Sequence, residues 1–325
     1  MTGAGGAGPR VLVTGAGGQI GSELVPALRA QLGDGRVLAT DVKDVETRLG
    51  APFLVLDSTD GGAVADTVRS NGIDTIYHLA ALLSVTAEER PQAAYSVNLG
   101  SLVAVLEAAR EAGARVFAPS SIAAFGPGTP REGTPQDTIQ RPTTMYGVTK
   151  VAGELLCDYY HRKFEVDTRG IRYPGLVSHV AEPGGGTTDY AVDMFHAALS
   201  DGRYRCYLRP DTQLDMMYMP DAVRAAQELM HADPARLRHR NAFNVSAIRL
   251  TPARLATEIR ALVPGFEVEY DVDEGRQAIA DSWPRAVDDS AACSEWGWRA
   301  RYDLTAMARE MIAHLSARAQ PVGER

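Results

Sequence analysis

Short apolar runs and helix-period stretches take turns along the first half of the chain. Val11, Leu12 and Val13 make the first run. It is continuous rather than alternating, the mark of a strand covered on both faces. Apolar residues then recur at helical spacing through Ile20, Leu24, Leu28 and Leu32. A second strand is predicted over Arg36 to Thr40 and a third over Phe53 to Leu56, closing at Asp57. Helical spacing returns at Ala63, Val64, Thr67 and Val68, and Thr75 to Leu79 reads as a fourth strand. Ala94 to Ala112 carries a long helical pattern through Ala94, Val97, Leu102, Val105, Leu106 and Ala109. A fifth strand, Arg115 to Ala118, runs into Pro119-Ser120-Ser121, and a Gly/Pro/Thr-rich loop covers Gly126 to Thr144. Met145 to Phe164 is helical, and Asp167 to Arg172 is a sixth strand. Such β-α alternation calls for a doubly wound parallel sheet with helices on both faces, an α/β fold.

From Pro174 the rhythm changes. Glycines cluster at Gly184 to Gly186, strands shorten, and helical stretches appear at Asp189 to Leu199, Asp221 to Met230, Pro252 to Leu262 and Leu304 to Leu315. Residues 10–175 read as a nucleotide-binding domain and 176–318 as a smaller, mainly substrate-binding lobe. Met216 to Met230 and Ala242 to Val245 are segments of the lobe expected to return to the main sheet. Residues 1–9 and 319–325 read as tails, the first flexible and glycine-rich.

The turn after the first strand carries the first chemistry. Gly15, Gly18 and Gly21 fall at intervals of three between a strand and a helix. In that context such glycines mark a Rossmann-type dinucleotide site. Gly15 permits the tight turn, Gly18 lets a pyrophosphate approach bare backbone, and Gly21 lets helix and strand close up. Gln19 and Ile20 sit within the turn, where the helix N-terminus favours an anion. Asp41, twenty residues after Gly21, ends the second strand and is placed to accept both ribose hydroxyls of NAD. Its charge would repel a 2′-phosphate, so NAD is expected over NADP.

Ligands of such sheets bind beyond the strands' carboxyl ends. Asp57 lies there, and reads either as a partner for the adenine amino group or as a helix N-cap. Leu79-Ala80-Ala81 offers small side chains past which a cofactor can run, and His78 before it reads as structural. Asn98, an amide in mid-helix, is placed to reach the sheet end or the nearby backbone. Tyr173 and Leu176, past the sixth strand, complete the cofactor candidates.

Tyr146 and Lys150 stand four apart, on one face of a helix. A free phenol is too weak an acid to serve as a base near neutrality, with a pKa of about 10. A fixed ammonium beside it is expected to lower that value. Tyr146 would then take a proton from a substrate hydroxyl as hydride leaves the same carbon. Lys150 would also hold the cofactor ribose, and Ser121 would orient the hydroxyl and stabilise its developing charge.

Composition narrows the partners. The formal charge of −8 over 325 residues opposes a nucleic-acid or anionic-membrane partner. No apolar run approaches the ~20 residues of a membrane span. The N-terminus lacks a basic region followed by an apolar core, so export is not expected. Three widely spaced cysteines, Cys157, Cys206 and Cys293, suit a reducing cytoplasm and offer no metal-ligand spacing.

With these motifs in order, the chain resembles the extended short-chain dehydrogenase/reductases of the nucleotide-sugar epimerase and dehydratase superfamily. The likeness runs from Val11 to about Leu315. Tyr173-Pro174-Gly175, Gly184 to Ala191, Met216-Met217-Tyr218-Met219, Asp281-Ser282-Trp283-Pro284, Asp288-Asp289-Ser290 and Trp296-Gly297-Trp298 make it similar to the short-chain, zinc-independent group of L-threonine 3-dehydrogenases. That resemblance implies substrate contacts from Ser84, Ser121, Tyr146, Thr187 and Trp283, with L-threonine as substrate, NAD as cofactor and a homodimer as the assembly. Thr187, Thr188 and Asp189 read as holders of the substrate's charged groups or as an ordinary helix N-cap. The lobe is expected to close over the substrate, with Gly184 to Gly186 as hinge. Trp296, Trp298, Met216, Met217 and Met219 read as packing. Rival readings are a nucleotide-sugar epimerase or dehydratase with tightly held NAD, and an NAD-binding redox sensor without turnover. Intact Ser121, Tyr146 and Lys150 oppose the sensor.

Overall fold

The computed structural model describes residues 8–181 and 184–319. The expected tails at 1–7 and 320–325 lie outside the described residues. Ala319, assigned to a tail by sequence, is the last residue of the final helix.

The first half alternates as its apolar pattern requires. In order come β1 (Val11–Thr14), α1 (Gly21–Leu32), β2 (Val37–Asp41), α2 (Glu46–Leu49), β3 (Phe53–Val55), α3 (Gly61–Ser70) and β4 (Thr75–His78). Next are α4 (Ser84–Glu89), α5 (Pro91–Ala112), β5 (Arg115–Phe117), β6 (Ser120–Ser121), α6 (Met145–Phe164), β7 (Thr168–Arg169) and β8 (Ile171–Tyr173). Six strands form a parallel sheet in the order β3-β2-β1-β4-β5-β7. Order reverses at β1, which opens the crevice where such sheets take ligands.

The continuous apolar run of β1 divides its side chains between two cores. Val11 and Val13 face Leu24, Val25 and Leu28 of α1, while Leu12 faces Val64 and Val68 of α3 and Val105 of α5. Period-two alternation with both faces apolar is what a doubly covered strand demands.

The predicted sixth strand, Asp167 to Arg172, is not one strand. Gly170 interrupts it, and Ala118-Pro119 separates β5 from the short β6. A Cβ on Gly170 would lie 2.6 Å from the Ala118 carbonyl oxygen. Beyond these breaks β6 pairs with β8, so Ser120 and Ser121 stand opposite Arg172 and Tyr173. The two short strands deliver polar residues to the crevice rim.

The second half supplies β9 (Gly175–Val177), α7 (Tyr190–Ser200), β10 (Arg203–Cys206), β11 (Leu214–Tyr218), α8 (Met219–His231) and β12 (Phe243–Asn244). Then follow β13 (Ile248–Leu250), α9 (Pro252–Leu262), β14 (Glu267–Tyr270), α10 (Glu274–Asp281), α11 (Ser290–Trp296) and α12 (Leu304–Ala319). β12 pairs in parallel with β8 in a separate three-stranded sheet, β12-β8-β6, so Ala242 to Val245, expected to return to the main sheet, joins this smaller one instead. β11 lies between β9 and β13 in a separate sheet, and β10 pairs with β14. Met216 and Tyr218 of β11 join the lobe core of Tyr190, Phe195, Leu255, Phe266, Trp283 and Met307. Met217 points the other way and joins the core under β1, together with Met219, Ala222 and Leu229 of α8. Thus α8 returns to cover the six-stranded sheet. Trp298 is fully buried in the same core and donates to Ser246 O at 3.3 Å.

Candidate active site

The glycine turn closes tightly on the neighbouring strand. Gly15 has φ +65°, and a Cβ there would lie 2.6 Å from the Ala80 nitrogen. Only glycine satisfies both conditions. A Cβ on Gly21 would meet the Ala16 carbonyl oxygen at 2.5 Å, so α1 starts pressed against the end of its own turn. Gly18 N–H donates to Gly15 O at 3.1 Å. No side chain caps α1, and Gln19 Nε2 is buried without a partner beside it. Bare glycine backbone, an uncapped helix start and an orphaned amide donor fit a bound pyrophosphate.

Two cavities meet at this turn. One, of ≈ 310 Å³, runs between Asp41, Asp57, Val97 and Leu79 to Leu82. The other, of ≈ 190 Å³, lies between Ser84, Ser121, Tyr146, Lys150, Thr187 and Trp283. Gly15, Gly18, Leu79 and Ala81 line both. Asp41 Oδ2 accepts from Gly17 N–H at 2.9 Å and Oδ1 from Lys43 N–H at 3.1 Å. These bonds fix the carboxylate at the cavity's edge.

Asp57 is not a helix cap. Asp60 caps α3, accepting from Ala63 N–H at 3.0 Å. Asp57 Oδ1 accepts instead from the Thr59 N–H and hydroxyl, at 2.9 and 2.7 Å, and these bonds hold its carboxyl below the ordinary value. Asn98 clamps the backbone that follows Ala81. Its Oδ1 accepts from Leu82 N–H at 2.8 Å, and its Nδ2 donates to Leu82 O and Thr149 Oγ1, both at 3.1 Å. His78 sits between Thr14 Oγ1 at 2.8 Å and Ser101 Oγ at 3.1 Å, and burial pushes it down to about 3. It is a neutral structural imidazole.

Tyr146 and Lys150 share the α6 face that meets the crevice. Thr144 caps the helix, accepting from Gly147 N–H at 3.1 Å. A Cβ on Gly147 would lie 2.3 Å from Ala123 O, so glycine lets α6 press on the segment after Ser121. Lys150 Nζ is 5.3 Å from the Tyr146 ring centroid and donates to Pro119 O at 2.8 Å. Here the electrostatics differ from the sequence expectation. Burial raises the Tyr146 phenol to about 12, with a hydrogen bond to Ser121 opposing it. Burial also lowers Lys150 to about 8, against the field of Glu154. The ammonium spends a bond on the Pro119 carbonyl, and desolvation governs the phenol.

The lobe closes the other side. Ser84 Oγ lies 3.5 Å from Thr187 Oγ1, both buried. Trp283 walls the cavity, with its Nε1 buried and unpartnered. Asp189 starts α7 but caps it with no side-chain bond. Its Oδ2 accepts instead from Gly185 and Gly186 N–H at 2.8 and 2.7 Å. The carboxylate thus pins the glycine run expected to act as hinge. Tyr173 and Leu176 line the same cavity, though the Tyr173 hydroxyl turns away to donate to Ala222 O at 2.8 Å.

Several site residues have no sequence signal of their own. Gly17 touches Asp41, and Arg48 donates to Gly17 O at 2.5 Å. Gly175, known from sequence only as part of a motif, packs against Met216, whose Sδ would lie 2.3 Å from a Cβ there. Behind Lys150, Glu154 is paired with Arg172 at 2.8 Å. A glycine directly after Tyr146 was the one available hint, since glycine near a helix start often marks close packing. Among the described residues, no three His, Cys, Asp or Glu side chains are grouped to hold a metal ion. Nor is any helix among them long and apolar enough to cross a membrane.

Comparison with known proteins places the chain in a family. An uncharacterized epimerase/dehydratase of Staphylococcus saprophyticus is 51% identical over 306 residues, covering 93% of this chain and 96% of the relative. The structure of L-threonine dehydrogenase from Clostridium difficile superposes with a TM-score of 0.93 at 49% identity, over 95% of this chain and 98% of the other. A monomeric L-threonine 3-dehydrogenase from a metagenome gives 0.92 at 43% identity, over 95% and 100%. The profile of the NAD dependent epimerase/dehydratase family matches residues 11–246, from the first residue of β1 to two residues past β12. With that span matched and the glycine turn in place, the chain belongs to the NAD-dependent epimerase/dehydratase family.

Proposed function

We propose that the protein oxidises the 3-hydroxyl of L-threonine to 2-amino-3-oxobutanoate, with NAD as hydride acceptor, in threonine catabolism. The carrying observation is the cavity that brings Ser121, Tyr146 and Lys150 opposite Ser84, Thr187 and Trp283 beside the glycine turn. The likeness to L-threonine dehydrogenases over nearly the whole chain supports the same reading.

Gly18 to Gly21 would hold the pyrophosphate, Asp41 the adenosine ribose and Lys150 the second ribose. Bound NAD⁺ supplies a cationic ring as hydride acceptor. Tyr146 takes the proton of the substrate hydroxyl as the C3–H electrons leave. Ser121 bonds the same oxygen and stabilises charge developing on it. Ser84 and Thr187 offer hydroxyls to the substrate's charged groups, and Trp283 offers an apolar wall beside its methyl group. Trp283 Nε1 adds a donor otherwise unsatisfied. The compact cavity suits a small zwitterion better than a nucleotide sugar. Near-ultraviolet absorbance of NADH with L-threonine, its D and allo isomers and L-serine tests this. Reduction by L-threonine supports it, and conversion of a UDP-sugar without net reduction overturns it.

The proposed assembly is a homodimer through α5 and α6. Both helices expose apolar side chains, among them Tyr95, Val103, Val148, Leu155 and Tyr159. Large exposed apolar groups on two adjoining helices suit a subunit contact. The free thiols of Cys157, Cys206 and Cys293 suit a cytoplasmic setting.

A further inference from the structure

A buried ion network lies behind the Tyr146–Lys150 pair. Glu154 follows Lys150 by one helical turn. Its carboxylate receives Arg172 Nε at 3.0 Å and Nη2 at 2.8 Å, a two-point contact. It also accepts from the Ser120 hydroxyl and, at 2.8 Å, from Gln140 Nε2. Glu154 and Arg172 side chains are only 9% and 8% exposed. Arg172 is fixed in turn by Gln136 O at 2.8 Å and Asn244 Oδ1 at 3.1 Å, and its guanidinium stacks over Phe125 at 4.9 Å.

The network joins the parts that must stay in register. Glu154 is on α6 with Tyr146 and Lys150, Ser120 precedes Ser121 on β6, and Arg172 stands opposite Ser120 on β8. We propose that Glu154 is a positioning residue: anchored by Arg172, it ties the helix of Tyr146 and Lys150 to the strand of Ser121 and sets its carboxylate one helical turn from Lys150. This rests on the reading of Lys150 and Tyr146 given above.

A buried pair of this kind is a poor source of stability, since desolvation of both ions offsets their attraction. Its place beside the site is what calls for another account. The field of Glu154 opposes the burial that lowers Lys150, while His78 of β4 is neutral. The other groups facing this region are the Cys157 thiol, raised by burial to about 12, the Tyr146 phenol and Arg172. Of these, only Glu154 is an anion bonded into the strand that carries Ser121.

The test uses E154Q, E154D and S120A in the full chain. Two readouts are taken: the pH profile of kcat/KM with L-threonine and NAD⁺, and the pH dependence of Lys150 labelling by an amine-directed reagent. In E154Q, Lys150 should lose its charge at lower pH, moving the alkaline limb and the labelling midpoint down by about one pH unit. kcat should fall on the order of tenfold, with the KM for NAD⁺ little changed. E154D should restore the limb. S120A, which keeps the ion pair, should lower kcat severalfold without moving the limb, and decides the matter if E154Q does not fold. Unchanged kcat in S120A, or an unmoved labelling midpoint in folded E154Q, overturns the proposal. Labelling needs no substrate, so wild-type protein inactive on L-threonine with a shifted E154Q midpoint refutes the function and leaves the charge role standing.

Discussion

At the scale of residues, the decisive tension lies at Tyr146. The protein alone holds its phenol up at about 12, and Lys150 at about 8 keeps its charge through neutrality but loses it above that. The base is the ionised phenol, so activity should climb with pH and stop climbing as the ammonium deprotonates near 8, where the gain of phenolate is offset by the loss of ammonium. Y146F should cut NADH formation by about 10²–10⁴-fold and leave NAD affinity nearly intact, as read by fluorescence titration. D41A should erode the preference for NAD over NADP, measured as the ratio of kcat/KM values. An undiminished preference would remove Asp41 from cofactor choice. Gly15 was legible from the glycine spacing of one strand–turn–helix unit, Asp41 from its place at the end of the next strand, and Tyr146 and Lys150 from their four-residue spacing on one helix. Glu154 and Arg172 were not. Their partners lie 18, 34 and 72 residues away in sequence, and no periodicity records such a pairing. The phenol's direction of shift was also hidden, because burial depends on the whole chain.

At the scale of elements, the nucleotide half followed its apolar pattern closely, since strands covered on both faces have little choice of environment. The pattern failed where strands change partners. Gly170 breaks a strand that the sequence reads as continuous, and Ser120-Ser121, read as lying past the fifth strand, forms the short strand β6. β11 shows another cost of joining two cores. Its Asp215 is buried, accepts from Val287 N–H at 2.9 Å and is raised by desolvation to about 6. A raised carboxyl binds its proton more tightly in the folded state. Its contribution to stability is therefore full below pH ~4 and lost as pH rises through about 6. D215N should flatten that dependence and raise stability at pH 7 by about 2–3 kcal/mol in urea melts. A pH-independent difference from wild type would contradict the assignment.

At the scale of the whole molecule, two cores share β11: Met217 serves the nucleotide side and Met216 the lobe. The crevice between them is framed from both halves, with Tyr146 on one wall and Trp283 on the other. The sequence pattern sends Met216 to Met230 back to the main sheet; α8 does pack on that sheet, whereas β11 pairs with β9 and β13 in a separate one. The exposed apolar faces of α5 and α6 extend the argument to assembly. Sedimentation at micromolar concentration should give twice the chain mass, and L155D, at a side chain 63% exposed in the single chain, should shift it towards monomer. A wild-type mass of one chain would contradict the dimer. The central claim is hydride transfer from the substrate's C3. It is tested most directly by the mass of the reduced cofactor formed from L-threonine deuterated at that carbon. The account predicts NADH carrying the deuterium, whereas unlabelled NADH, or none, would contradict it.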